Sequence, residues 1–133
     1  MIKSFKLFNL FKKKDPIQKI CNELGIKNFE IVGDLVNVNG NVSLTYRNLG
    51  MSGFEKLPLK FGEVTGYFML NHTDLKSLEG SPRKVGGDFL CKGHDIPTLE
   101  GAPEIIGGDF LFVDNRLMSL EGAPRTARMK GGW

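Results

Sequence analysis

Apolar positions recur with a period of 21 residues over the second half of the chain. Three segments, starting at Phe68, Phe89 and Phe110, place apolar residues at the same relative positions, 0, +2, +7 and +10. The alternation at the first two positions predicts a short strand, and the later positions predict a return arc lined by leucine. A single coil of this size cannot bury its apolar side alone, so we expect the coils to stack into a solenoid.

Glycine and proline follow the same period. The block Leu-Glu-Gly-Ser/Ala-Pro occupies residues 78–82, 99–103 and 120–124, and Gly-Gly-Asp-Phe occupies 86–89 and 107–110. Glycine lets the backbone turn sharply before each strand, and proline fixes the return arc. The pattern matches the L-x-L-x-x-N-x-L core of a leucine-rich repeat. The sequence therefore predicts a mainly β fold, a short leucine-rich-repeat-like solenoid built from 21-residue repeats.

The segment before the repeats has the signals of an N-terminal cap. Asp15-Pro16 is typical of a helix start and Gly25 of a helix end. Residues 34–44 then alternate apolar and polar side chains around Asn39-Gly40, a strong signal for a hairpin turn. We expect an α-helix and a β-hairpin to cap the solenoid.

The chain divides into an arm and one domain. Residues 1–14 form a basic aromatic N-terminal arm, and residues 15–133 form a single solenoid domain. Within this domain the sequence predicts a cap over 15–44, repeats over 45–124 and an irregular C-terminal end over 125–133, in which Gly131-Gly132-Trp133 is interpreted as a stunted strand.

Charge is distributed unevenly between these two parts. The net charge is +3, but residues 1–14 carry five lysines and no acid, so the remaining residues carry a net charge of −2. The domain is therefore not a basic nucleic-acid binder. The two cysteines, Cys21 and Cys91, do not make a disulfide framework, which favours a reducing compartment. No apolar run is long enough for a transmembrane helix or a secretory signal.

Residues that alternate with the buried positions of each strand are expected to point outward. Their central members, Met69, Leu90 and Leu111, are apolar, and exposed apolar patches mark contact surfaces. Two interpretations stay open: a protein partner docks on this column, or the N-terminal arm covers it. The predicted partner-binding residues are Tyr67, Met69, Asn71, Asp88, Leu90, Lys92, Asp109, Leu111 and Val113.

The arm is a second candidate contact. As a helix it would place phenylalanines on one face among lysines, a pattern typical of segments that rest on anionic membranes or enter partner grooves. The lysine run at residues 12–14 is also suited to nucleic-acid phosphates. A frayed terminus is the remaining alternative. The candidate arm contacts are Lys3, Phe5, Lys6, Phe8, Phe11, Lys12, Lys13 and Lys14.

Catalytic and metal-binding signals are weak. His72 and His94 lie near Asp74 and Asp95, but no nucleophile accompanies them in an elbow-like setting. Cys91-x-x-His94 has half of a zinc spacing, yet Cys91 takes a repeat position that is buried in the other coils. The sequence therefore predicts no enzyme, no metal, no cofactor and no small-molecule substrate.

The chain resembles the short leucine-rich-repeat-like proteins encoded by bacteriophages. The motifs that carry the resemblance are residues 56–66 and the two glycine-containing blocks, and it extends over roughly residues 16–124. The chain departs from the family's pattern at the asparagine of L-x-L-x-x-N-x-L. This asparagine is kept as Asn115 but is replaced by Thr73 and His94 in the two preceding coils. The resemblance implies a phage origin and a setting in the host cell cytoplasm.

The expected function is a non-enzymatic protein–protein interaction module. From the phage resemblance, its most economical role is binding and blocking a host protein, such as an antiviral defence effector (for example a CRISPR nuclease). Two alternatives stay open. One is a membrane-surface or nucleic-acid adaptor that works through the basic arm, and the other is a structural virion component that self-associates through solenoid ends.

Overall fold

The computed structural model describes residues 16–45, 55–72, 74–93, 95–113 and 117–130. It confirms a mainly β solenoid of about four turns with 21-residue spacing, preceded by one helix. The elements within these ranges are α1 (16–23), β1 (Phe29–Val32), β2 (Leu35–Val38), β3 (Val42–Thr45), β4 (Lys60–Val64), β5 (Phe68–Asn71), β6 (Lys84–Val85), β7 (Phe89–Lys92), β8 (Ile105–Val113) and β9 (Thr126–Lys130).

Each coil contributes strands to two faces of the solenoid. On the first face β2, β4, β6 and the start of β8 pair in parallel, and on the second face β3, β5, β7 and the end of β8 do so. Strand β8 runs through the corner between the faces and joins them into one sheet. On the second face Phe68, Phe89 and Phe110 are direct partners, as the 21-residue period predicted.

These three phenylalanines form a stack inside the solenoid. The ring centroids of Phe68 and Phe89 lie 5.5 Å apart, those of Phe89 and Phe110 lie 5.2 Å apart, and the rings are nearly parallel. All three side chains are completely buried. The return arcs contribute Leu75, Leu78, Ile96 and Leu99 to the same core. The 21-residue spacing thus places similar side chains above one another, so that each coil buries the apolar side chains of its neighbour.

The helix and a hairpin lie at the N-terminal end. Helix α1 is followed by Gly25, whose φ of 72° is the left-handed conformation typical of a helix C-cap. Cys21 and Leu24 are buried members of the hydrophobic core. Strands β1 and β2 pair antiparallel through a two-residue turn that begins at Gly33, with a φ of 65°.

The predicted position of the hairpin, around Asn39-Gly40, is wrong. Strands β2 and β3 flank this pair but do not pair with each other, because β2 lies between β1 and β4 whereas β3 lies beside β5. Asn39-Gly40 forms the corner between the two faces, and its polar groups bond to the next coil. The Gly40 N–H donates to Thr65 Oγ1 at 2.9 Å, and the Thr65 hydroxyl donates to Asn39 Oδ1 at 3.1 Å.

The last described coil departs from the 21-residue register, and within the segment 125–133, which was predicted to be irregular, residues 126–130 form the paired strand β9. Ile105 pairs with Thr126, but Asp109 pairs with Arg128, so β9 has two residues fewer than β8 at the corner. These two residues correspond to Gly107-Gly108. The predicted stunted strand at Gly131-Gly132-Trp133 lies outside the described residues.

Candidate functional site

The second face brings together all nine predicted contact residues. Along β5, β7 and the end of β8, buried side chains alternate with partly or fully exposed ones. The nine residues fall into three rows across the strands. The upstream row is Tyr67, Asp88 and Asp109; the central row is Met69, Leu90 and Leu111; the downstream row is Asn71, Lys92 and Val113.

The central row is an apolar ridge across three parallel strands. Met69 is the direct register partner of Leu90, and Leu90 is the direct partner of Leu111. Each side chain is partly exposed. At the usual spacing of parallel strands the row is about 10 Å long. Beside it on β3, the Ser43 hydroxyl contacts Met69 Sδ at 3.7 Å and ends the apolar row with a polar group.

The downstream row supplies polar and charged groups beside the ridge. Asn71, Lys92 and Val113 are register partners on adjacent strands, with Thr45 next to them on β3. Lys92 is exposed, whereas Asn71 and Val113 are half-buried. An exposed cation and an amide beside an apolar row are typical of the rim of a protein interface.

The upstream row has a structural role that the sequence analysis missed. The Asp109 N–H donates to Asp88 Oδ1 at 2.7 Å, so the Asp88 carboxylate ties its coil to the next one. Asp109 in turn forms an ion pair with Arg128, whose Nε lies 2.8 Å from Asp109 Oδ1. In an earlier coil Asn41 Oδ1 accepts the N–H of Tyr67 at 2.9 Å. The repeated Gly-Gly-Asp block was the available signal, because it places a carboxylate at two successive corners, at Asp88 and Asp109.

The first face carries an open groove of about 500 Å³ lined in part by Leu35, Phe61 and Pro82. Its polar groups connect neighbouring coils. Arg83 Nη2 lies 2.9 Å from Glu63 Oε1, and the Glu63 N–H donates to Asn37 Oδ1 at 2.8 Å. These contacts hold polar side chains to one another, so the groove is a weaker candidate for a ligand site than the second face.

The structure describes some of the residues that gave the weak catalytic and metal-binding signals. His72 and Asp74 are exposed, and both have a positive φ. Over the described part of the chain, no group of three or more His, Cys, Asp or Glu residues is arranged to hold a metal ion. His94, which completes the Cys91-x-x-His94 spacing, lies outside the described residues. Thr73 and Asn115, which occupy the asparagine position of the repeat pattern, also lie outside them.

Cys91 is part of the core. It lies between Leu70 and Phe112 in the register of the second face and is 1% exposed. Burial raises the pKa of the Cys91 thiol strongly, and burial also raises the pKa of Cys21. A thiol held neutral and away from solvent is a poor nucleophile.

Both cysteines are therefore expected to resist alkylation while the protein is folded. At pH 8 we expect labelling by a thiol reagent to be roughly 100-fold slower in buffer than in urea, because reaction requires local opening. Mass spectrometry of the labelled peptides measures each thiol separately. Rapid labelling of Cys91 in the folded protein would contradict its place in the core.

The predicted arm contacts at residues 1–14 lie outside the described residues. No helix within the described ranges has the length and apolar character needed to cross a bilayer. No protein-family model, curated protein or solved structure gives a significant match to this chain.

Proposed function

We propose that this protein is a non-enzymatic binding module that docks a protein partner on the second face. The observation that carries the proposal is the central row, in which Met69, Leu90 and Leu111 are aligned and partly exposed. Contiguous apolar side chains with a polar rim are typical of protein contact surfaces. Lys92 and Asn71 supply polar groups beside the row.

The sheet beneath this face supports binding because it fixes the backbone of the row. Each residue of the central row lies on a strand paired with its neighbours, and the adjacent residues Phe68, Phe89 and Phe110 are locked in the core stack. A surface already in its binding geometry loses little conformational entropy on association. The mechanism is steric: a rigid sheet covers part of the partner, while the flanking charges select which partner binds.

The proposed partner is a host protein that the module binds and blocks in the host cytoplasm, for example an antiviral defence effector. This step is supported by the resemblance of the repeat blocks to phage-encoded proteins. The geometry contributes a partly exposed apolar row with polar groups beside it on a paired sheet, a combination that is typical of protein contact surfaces.

The test replaces Leu90 by aspartate. We expect Leu90→Asp to weaken partner binding by roughly 100-fold, because a carboxylate in the centre of the contact must lose its hydration on docking. Quantitative mass spectrometry of host proteins captured by the tagged wild type and by Leu90→Asp identifies the partner. Titration of the purified partner then measures both dissociation constants.

The matched control is Leu35→Asp, which makes the same chemical change on the first face. Leu35 is 41% exposed, so this substitution is compatible with folding. Circular dichroism and urea denaturation of both variants separate a binding defect from unfolding. Equal affinity of wild type and Leu90→Asp for the captured protein, or equal losses in both variants, would overturn the proposal.

A further inference from the structure

Strand β1 forms one edge of the sheet. It pairs with β2 on one side, and no other strand of the described ranges lies on its opposite side. Hydrogen-bonded and non-bonded residue pairs alternate along an antiparallel ladder, and in this ladder the Asn39 N–H donates to the carbonyl of Asn28. Phe29 and Ile31 therefore direct their backbone N–H and C=O groups away from β2. An edge of this kind can accept one more strand.

The inward side chains at this edge are incompletely covered. Phe29 and Ile31 are register partners of buried residues on β2, yet both side chains stay partly exposed. Strand β3, at the other end of the sheet, provides the comparison, because its inward residues Val42 and Leu44 are almost completely buried. The edge at β1 is thus the one whose apolar side chains would gain cover from an added strand.

A negative charge lies between these two apolar positions. The Glu30 side chain is exposed on the first face and forms no ion pair with any residue that the structure describes. A pocket of about 200 Å³ beside it is lined in part by Asn37 and Glu63. The pattern along the edge is therefore apolar, acidic, apolar. A complementary strand has a basic residue opposite Glu30 and an apolar residue on each side of it.

We propose that the N-terminal arm of the same chain pairs with this edge and places Lys6 opposite Glu30. Phe5-Lys6-Leu7 has the apolar, basic, apolar pattern that the edge requires, and this pattern occurs once in residues 1–14. Side chains alternate between the faces of a strand, so Phe5 and Leu7 then lie beside the two inward side chains of β1. This holds whether the added strand runs parallel or antiparallel to β1.

Reach and charge both support this occupant. Eight residues separate Leu7 from Pro16, where α1 begins at the same end of the solenoid as β1. Eight extended residues span up to about 28 Å, more than twice the length of a helix of that many residues. The five lysines give the arm a net charge of +5, against −2 for the rest of the chain. The inference does not depend on the proposed function, because an arm on this edge leaves the central row uncovered.

Amide hydrogen exchange of the full chain, resolved by NMR, tests the proposal. We expect the Phe29 and Ile31 amides to exchange at least about tenfold faster in Leu7→Asp than in the wild type, because an inward carboxylate must lose its hydration when the arm docks. The matched control is Leu10→Asp, because residue 10 lies on the outward side of the proposed register and should leave both rates unchanged. The Glu30 amide, which by the same alternation bonds to β2, reports on the fold and should stay slow in every variant.

Reversal of the two charges tests the register itself. Lys6→Glu and Glu30→Lys should each reduce the protection of the Ile31 amide roughly threefold, the size expected for one cross-strand ion pair. The double variant should restore the protection of the wild type, because it re-forms the pair with the charges exchanged. Failure of the double variant to recover would contradict the pairing of Lys6 with Glu30.

The exchange rates distinguish the other possible occupants, each of which would overturn the proposal. Equally fast exchange at Phe29 and Ile31 in the wild type and in Leu7→Asp would show an open edge. Equally slow exchange in both would show that another segment covers the edge, or a second copy if protection rises with protein concentration. Equal losses in Leu7→Asp and Leu10→Asp would show a contact without the proposed register.

Discussion

Replacing Phe89 by alanine is expected to lower the free energy of unfolding by about 3–5 kcal/mol. Phe89 is the middle ring of the core stack, with Phe68 at 5.5 Å and Phe110 at 5.2 Å between ring centroids. The substitution removes an entirely buried ring and leaves a cavity. The neighbouring rings are held by strands on both sides of β7, so the cavity cannot readily collapse.

Urea denaturation followed by circular dichroism measures this loss, and Leu90→Ala is the matched control. Leu90 is the next residue on the same strand but points outward and is partly exposed, so its truncation is expected to cost only about 1 kcal/mol. Both variants remove a large apolar side chain from β7. Similar losses in the two variants would show that the stack beneath the sheet does not dominate stability.

Replacing Gly86 by alanine is expected to cost about 3 kcal/mol, although Gly86 lies outside the left-handed region. An added Cβ would overlap the carbonyl oxygen of Thr65 in the preceding coil. The backbone cannot easily move aside, because the Gly86 N–H donates to the carbonyl of Val64 at 2.9 Å. The glycine is required by the close approach of successive coils.

Gly33→Ala provides the contrast that separates crowding from backbone strain. Gly33 has a φ of 65°, but an added Cβ there meets nothing within 4 Å. Its replacement should cost about 1–2 kcal/mol, the usual penalty for a left-handed non-glycine residue. Urea denaturation of the two variants side by side measures the difference. A smaller loss for Gly86→Ala than for Gly33→Ala would contradict the proposed tight stacking at the corner.

The period of the sequence was sufficient to predict the solenoid and the stacked residues of the second face. It did not predict the other strand of each coil, because β4, β6 and the start of β8 lie in segments that were interpreted as parts of the return arc. Phe68, Phe89 and Phe110 could be aligned from spacing alone, because stacking requires like residues at like positions. The outward rows followed from the same alignment, since neighbours on a strand point to opposite sides. In this chain the spacing of residues along the sequence predicts contacts between coils, because each coil repeats the packing of the coil before it.

Prediction from the sequence failed where one local motif is compatible with two different structures. Asn39-Gly40 is suited to a hairpin and equally to a corner, and only its bonds with Thr65, 25 or 26 residues away, decide between them. The role of Asp88 was missed for a related reason. The sequence does not show that the Asp88 carboxylate accepts a hydrogen bond, because the donor is the backbone N–H of Asp109 in the next coil.

The alternation of Phe89 and Leu90 separates two kinds of evolutionary constraint on one strand. Changes at inward positions are limited by the packing of the adjacent coils, whereas changes in the partly exposed central row are expected to affect folding less. The outward surface of the second face can therefore change while the scaffold is preserved. Duplication of one 21-residue unit would also lengthen the outward rows in a discrete step of about 4.8 Å, the spacing of one strand.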